Sequence, residues 1–236
     1  MAYLDFDRLD ALDPHAFQAQ RPYPWVNPHG LLTPTGYQRL VESLPAVSQF
    51  TRLFGVKRAH GQQSHDRYGL EYSPGLQLAP AWREFIDELT GSTYRRFICR
   101  MFGVRAVDLR FHWHYTPRGR SVSPHCDAKH KLGSHIFYCN PEWNPAWGGE
   151  TLILDDGGRF ARSSAPRFED FDRRIVSQTS GNRSLLFQRR NNSWHGVRPL
   201  ECPDGQLRKV FIVVINRYSA VDRIRRLFGG KSKGYA

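Results

Sequence analysis

Val107-Asp-Leu-Arg-Phe-His-Trp-His-Tyr115 is the stretch that decides the fold. Val107, Leu109, Phe111, Trp113 and Tyr115 alternate with Asp108, Arg110, His112, His114 and Thr116. Successive side chains of a strand point to opposite faces, so this period of two reads as a strand with one buried face. Upstream the period is 3.6. Thr33 and Pro34 suit a helix start, and Tyr37, Leu40, Val41 and Leu44 form one stripe that Pro45 ends. Pro80 opens a second helix with Trp82, Phe85, Ile86 and Leu89 on one side. Gly91 breaks it, Ser92 or Thr93 recaps, and Tyr94, Phe97, Ile98 and Met101 carry a third stripe to Gly103. The polar stretch 51–78 reads as loop. Downstream, strand-like runs fall at 134–140, 150–154, 184–188, 194–199 and 208–217, separated by turn residues such as Asn144-Pro145 and Asp155-Asp-Gly-Gly158. Helices followed by many short strands predict an α+β fold, a helical layer supporting a β-sandwich or barrel.

The chain has 236 residues, 40% of them apolar, which excludes a disordered chain. The longest apolar run, Val210 to Ile215, is strand length and far below the roughly 18 residues of a membrane span. The acidic opening MAYLDFDRLD has no apolar secretory region, and Cys99, Cys126, Cys139 and Cys202 form no C-x-x-C pair, so the expectation is a cytoplasmic protein with reduced thiols. The net charge is +12. Residues 1–50 carry −2, so the remainder carries +14. Such a surface admits anionic partners, nucleic acid among them. The segment 157–182 is long and charged, an insertion or a functional lid. The end of the chain, 219–236, reads as a basic helix or tail.

The chemistry concentrates in Pro124-His-Cys-Asp127. Residues i and i+2 of an extended strand share a face, so His125 and Asp127 can meet one metal together. His195, in Asn192-Ser-Trp-His-Gly-Val197, supplies a second imidazole from a distant strand. Two imidazoles and one carboxylate on one side of an ion leave positions open, the donor set of non-haem Fe(II) oxygenases. His112 and His114 form a rival His-x-His metal pair of the cupin kind, but no acid follows between Tyr115 and Ser123. They read instead as surface or second-sheet residues.

Five ordered blocks extend the pattern. Tyr115-x-x-x-Gly119 precedes His125-x-Asp127. Tyr138-Cys-Asn140, Trp143 and Gly148-Gly-Glu150-Thr-Leu come next. Ser184-Leu-Leu-Phe187 leads to Trp194-His195-Gly-Val197, and Gly205-x-x-Arg208 opens an apolar strand. From Tyr115 to Asn216 the chain resembles the catalytic core of Fe(II)/2-oxoglutarate-dependent dioxygenases of the prolyl-4-hydroxylase type.

That resemblance implies a double-stranded β-helix, or jelly-roll, in a single domain: 1–104 mainly helical support, 105–218 catalytic core, 219–236 basic tail. It implies Fe(II) held by His125, Asp127 and His195, with 2-oxoglutarate and O2 as co-substrates and ascorbate as a stimulant. It implies an oxidoreductase that hydroxylates an unactivated C–H bond of a prolyl or other amino-acid residue, or of a free amino acid, while 2-oxoglutarate becomes succinate and CO2. A small natural product is the other substrate class, and a non-enzymatic jelly-roll binding an anionic partner is the alternative outside catalysis. Nucleic acid as substrate fits the charge but not the motif spacing. For the far carboxylate of 2-oxoglutarate the resemblance points to a cation after Gly205. Arg208 shares its face with Val210 and Ile212, Lys209 with the bulkier Phe211, and a guanidinium fork suits a carboxylate. Arg208 is preferred and Lys209 stays open. Tyr115 and Tyr138 match positions that bind the same carboxylate, or are core tyrosines. Asn140 lies near the pocket or initiates a turn. By analogy, substrate would enter over Trp143, the 157–182 segment and Arg190.

Overall fold

A seven-stranded and a four-stranded antiparallel sheet face each other, and helices cover the outer side of the larger one. The computed structural model describes residues 2–58 and 61–218. Its helices are α1 (Phe6–Asp10), α2 (Pro14–Ala19), α3 (Pro34–Glu42), α4 (Pro80–Thr90) and α5 (Ser92–Phe102). Its strands are β1 (Trp25–Val26), β2 (Thr51–Leu53), β3 (Arg67–Glu71), β4 (Val107–Pro117), β5 (Val122–His125), β6 (Lys131–Tyr138), β7 (Leu152–Asp155), β8 (Arg173–Val176), β9 (Ser184–Gln188), β10 (Trp194–Val197) and β11 (Leu207–Arg217). The major sheet runs β1-β9-β6-β11-β4-β3-β2 and the minor sheet β5-β10-β7-β8. This is the double-stranded β-helix. Among the described residues no helix is long and apolar enough to cross a membrane. The basic tail from residue 219 onward lies outside the described residues.

The helices form where their sequence dictates. Gly36 N–H donates to Thr33 Oγ1 at 3.1 Å, and Pro34 occupies the first turn of α3. α5 ends at Gly103, whose φ of +65° closes the helix in the left-handed region. Ser92 and Thr93 do not cap α5. It starts directly after Gly91 with no side-chain cap.

The helices pack as a layer because α4 and α5 each present one aromatic stripe. Trp82 meets Trp113 and Phe211 at ring distances of 5.1 and 5.0 Å, and Phe85 meets Phe137 at 5.6 Å. Truncating a buried aromatic such as Phe211 to Ala would cost about 3–5 kcal/mol.

Both faces of the major sheet are therefore buried, which sets the parity of its strands. On β11, Phe211, Val213 and Ile215 face the helices, while Val210, Ile212 and Val214 face the minor sheet. On β4, Val107, Leu109, Phe111, Trp113 and Tyr115 face the helices. Register carries the parity across: Arg208 lies opposite Thr116, Val210 opposite His114, and Lys209 opposite Tyr115.

Two expectations change. The stretch 51–78 is not only loop, since β2 and β3 extend the major sheet beyond β4. Together with β1, the helical N-terminal part thus gives that sheet three of its seven strands. The segment 157–182 is likewise not a free insertion, because β8 within it pairs with β7.

Candidate active site

Strand pairing brings the two motif histidines together. β10 lies between β5 and β7, and His195 sits directly across from His125. Their rings are 4.2 Å apart. The close approach needs Gly196, where a Cβ would stand 2.8 Å from the Val122 carbonyl. Each imidazole is fixed by its own chain: His125 Nδ1 donates to the Ser123 carbonyl and His195 Nδ1 to the Ser193 carbonyl, both at 2.9 Å. That leaves Nε2 of each ring with its lone pair. Asp127, two residues beyond His125, completes the group, and one ligand atom from each of the three lies within 4.8 Å of the others.

The electrostatics suit ligation. Burial, reinforced by the neighbouring His195, pushes the His125 pKa well below the ordinary histidine value. Burial also lowers His195. Both rings are thus neutral donors. Burial by itself would raise the Asp127 carboxyl. Lys131 and the two imidazoles outweigh it and hold the group well below the usual carboxylate range. Lys131 Nζ donates to Asp127 Oδ1 at 2.9 Å, in a pair almost wholly removed from solvent.

The three residues line a cavity of about 650 Å³, within the roughly 300–1,000 Å³ of small-ligand sites. At its inner end stands Arg208, 5% exposed. Arg208 Nε donates to the Gly149 carbonyl, and Nη2 to Thr151 Oγ1 at 3.1 Å. Gly149 has φ +94°, and a Cβ there would come within 3.2 Å of Arg208 Cδ. Among the described residues no carboxylate forms an ion pair with Arg208, and Glu150 acts on it only as a more distant charge, so a buried guanidinium faces the cavity without a contacting anion.

Residues 111–219 match the family model described as the 2OG-Fe(II) oxygenase superfamily. This stretch is a 2OG-Fe(II) oxygenase domain. Solved structures share the fold of the oxygenase domain and its helical support. A prolyl hydroxylase from Trichoplax adhaerens, in complex with a hypoxia inducible factor oxygen degradation domain peptide fragment, is 13% identical with TM-score 0.65, covering 96% of this chain and 94% of that one. A Pseudomonas putida prolyl-4-hydroxylase is 15% identical with TM-score 0.59, covering 87% and 99%. The non-heme alpha ketoglutarate dependent carbocyclase SnoK from nogalamycin biosynthesis is 12% identical with TM-score 0.62, covering 96% of each. No curated protein sequence gives a match. The oxygenase domain makes the chain a 2-oxoglutarate-dependent dioxygenase that uses Fe(II).

The donor set and the orphaned cation both fit the groups the oxygenase domain implies. Two neutral imidazoles and a carboxylate suit a ferrous ion, and the buried Arg208 suits a planar carboxylate.

Other sequence expectations need correction. Tyr115 is on the wrong face. Its hydroxyl donates to the Pro45 carbonyl at 3.1 Å and its ring packs on Phe50, in the helix-side core. Lys209 follows it there, with Nζ 5.8 Å from the Tyr115 ring. Tyr138 is on the inner side but lies behind Arg208, whose guanidinium is 5.6 Å from its ring. Its hydroxyl is engaged by Thr151 and Ser177. Asn140 serves the turn, accepting from Lys209 N–H at 2.7 Å. Trp143 donates to the Gly148 carbonyl and Arg190 bonds Gln18 and Gln188, and neither lines the cavity. His112 and His114 are not surface residues. Both project between the sheets, and His114 lines the cavity beside Thr116.

Part of the cavity wall comes from the polar stretch that reads as loop in the sequence. Between β2 and β3, Val56, Lys57, Arg58, Gln62 and His65 line the cavity, and the His65 ring is 4.1 Å from His125. Burial, with His125 and Arg58 next, lowers the His65 pKa well below its ordinary value. No spacing marks this stretch. The alternation of β4 did hold the signal for His114 and Thr116.

Proposed function

We propose that the enzyme hydroxylates an unactivated C–H bond of an amino-acid or peptidyl substrate, coupled to conversion of 2-oxoglutarate to succinate and CO2. Fe(II) is held by His125, Asp127 and His195, and Arg208 binds the far carboxylate of 2-oxoglutarate. The observation that carries this reading is the meeting in one cavity of the three donors with a buried, anion-seeking Arg208.

When bound, the ferrous ion supplies activation of O2, the step that side chains do not perform. The chain's own residues do the rest. Ser123 and Ser193 carbonyls fix the imidazoles, and Lys131 keeps Asp127 ionised. Thr151 and Gly149 aim Arg208, with Tyr138 packed behind it. The apolar walls of Ile136, Phe187, Val210 and Ile212 exclude water from the space between Arg208 and the donors. The likeness in fold to peptide-bound and natural-product oxygenases leaves peptidyl and small-molecule substrates both within this proposal. The four free cysteines suit a reducing compartment such as the cytoplasm.

The test follows succinate formation from 2-oxoglutarate with Fe(II), O2 and ascorbate, together with iron content, for the wild type and Asp127→Ala. The wild type should bind about one iron and turn over, and the variant should do neither. Equal turnover in both would overturn the proposal.

A further inference from the structure

We propose that Ser177, which does not line the cavity, is a positioning residue for 2-oxoglutarate: it closes a buried ring of hydrogen bonds that holds Thr151 against Arg208. This rests on the oxygenase reading given above, with Arg208 as the anchor.

Tyr138 ends β6, Thr151 immediately precedes β7 and Ser177 immediately follows β8. Each is 2% exposed or less. The Tyr138 hydroxyl donates to Thr151 Oγ1 at 3.0 Å and lies 2.9 Å from Ser177 Oγ, and Thr151 N–H donates to Ser177 Oγ at 3.1 Å. Counting protons orders the ring. A tyrosine hydroxyl has one proton. Tyr138 gives it to Thr151, so its oxygen accepts the proton of Ser177. Ser177 thereby satisfies two buried groups at once, the Tyr138 oxygen and the Thr151 N–H. Its own place is fixed by the backbone on either side. Ser177 N–H donates to the Thr151 carbonyl at 3.2 Å. Gln178 N–H donates to Asn27 Oδ1 at 2.6 Å, and Asn27 Nδ2 donates back to the Gln178 carbonyl at 3.1 Å. No motif marks Ser177 in the sequence. The pairing of β8 with β7, Val176 opposite Leu152, brings it there.

What the ring fixes is the rotamer of Thr151. The backbone N–H and Oγ1 of that residue are tied at the same time. The side chain therefore keeps the one staggered position that turns Oγ1, not the methyl group, to Arg208 Nη2 at 3.1 Å. Arg208 Nε is held by the carbonyl of Gly149, two residues earlier. The 149–151 stretch thus aims the guanidinium, and Ser177 pins the end of that stretch. Removing the Ser177 hydroxyl strands the Tyr138 oxygen and the Thr151 N–H, both buried. It also frees Thr151 to rotate and set its methyl group against Nη2.

The test is anaerobic calorimetric titration of the Fe(II)-loaded protein with 2-oxoglutarate, alongside succinate formation. Ser177→Ala should bind 2-oxoglutarate about tenfold more weakly, the effect of losing two hydrogen bonds around the anchor, with a matching rise in KM. Iron content and kcat at saturating 2-oxoglutarate should stay near wild type, because the metal donors are held by Ser123, Ser193 and Lys131. Tyr138→Phe opens the same ring from the other side and should weaken binding by a similar factor. The double variant should be no weaker than either single one, since the ring can be opened only once. An affinity of Ser177→Ala within about threefold of wild type, or penalties that add in the double variant, would overturn the proposal. So would a Ser177→Ala protein that loses iron or kcat as well, the mark of a merely structural role. Arg208→Gln separates the two readings. If it too leaves the affinity unchanged, the placement of the co-substrate at Arg208 falls. If it alone weakens binding, only the role of Ser177 falls.

Discussion

Replacing Arg208 by Gln separates the binding of 2-oxoglutarate from the integrity of the fold. The guanidinium is 5% exposed and faces no carboxylate among the described residues. Losing one partner of a buried charge pair costs about 2–5 kcal/mol. At ~1.4 kcal/mol per decade, the KM for 2-oxoglutarate should rise by roughly 30- to 5,000-fold. The metal-free, co-substrate-free protein should scarcely change, because the variant removes an uncompensated buried charge, and Thr151 keeps its bond from Tyr138. Linkage makes the contrast measurable. At 100 times the wild-type Kd, 2-oxoglutarate stabilises the wild type by about 2.7 kcal/mol. A 30-fold weaker variant at that concentration retains about 0.9 kcal/mol by the same relation. Lys209→Ala is the control, since Lys209 lies over the Tyr115 ring on the helix side. The assay is succinate formation against 2-oxoglutarate concentration, with thermal unfolding alongside. A KM for Arg208→Gln within about threefold of wild type, or an equal rise for Lys209→Ala, would refute the placement of the co-substrate.

Lys131→Met should lower the stability of the metal-free protein by about 3–5 kcal/mol, because it strands the buried Asp127 carboxylate. Anaerobic Fe(II) should restore more stability to this variant than to the wild type in calorimetry, and an unchanged metal-free melting temperature would count against the pairing. Tyr115→Phe should cost about 1 kcal/mol for the lost bond to Pro45 and leave the KM for 2-oxoglutarate untouched. A raised KM would return Tyr115 to the site. His135 is wholly buried, bonded to Tyr94 and Ser184, and burial pushes its pKa down from 6.5 to about 3. The unfolded chain therefore takes up a proton below 6.5 that the fold refuses until about 3, and stability falls as pH falls across that window. In denaturant titrations His135→Asn should flatten the slope there by up to about 1.4 kcal/mol per pH unit, and an unchanged slope would show that His135 is not a source of acid lability.

What could be read from the sequence, and what could not, follows from which walls each strand faces. The metal donors were legible because ligation demands particular side chains two apart on a strand, and His125 and Asp127 supply them whatever the surroundings. Arg208 was legible as the better of two adjacent cations, because it shares its face with Val210 and Ile212 while Lys209 shares its face with the bulkier Phe211. Tyr115 is the core tyrosine of its two readings, because alternation reports that a strand has two faces, not which one the chemistry uses. On β4 the fully apolar face packs on the helices, and the face bearing His112, His114 and Thr116 turns inward. A rule that equates polar with solvent-facing fails there, since His112 and Thr116 are buried between two sheets and His114 lines the cavity between them. The β2–β3 hairpin was invisible for a related reason. Lys57, Arg58, His65 and Arg67 turn toward the cavity, which leaves too few apolar positions to mark a strand. Burying two imidazoles beside a carboxylate and a guanidinium in one cavity adds little to stability by itself, which fits their proposed service to the iron and to the 2-oxoglutarate dianion.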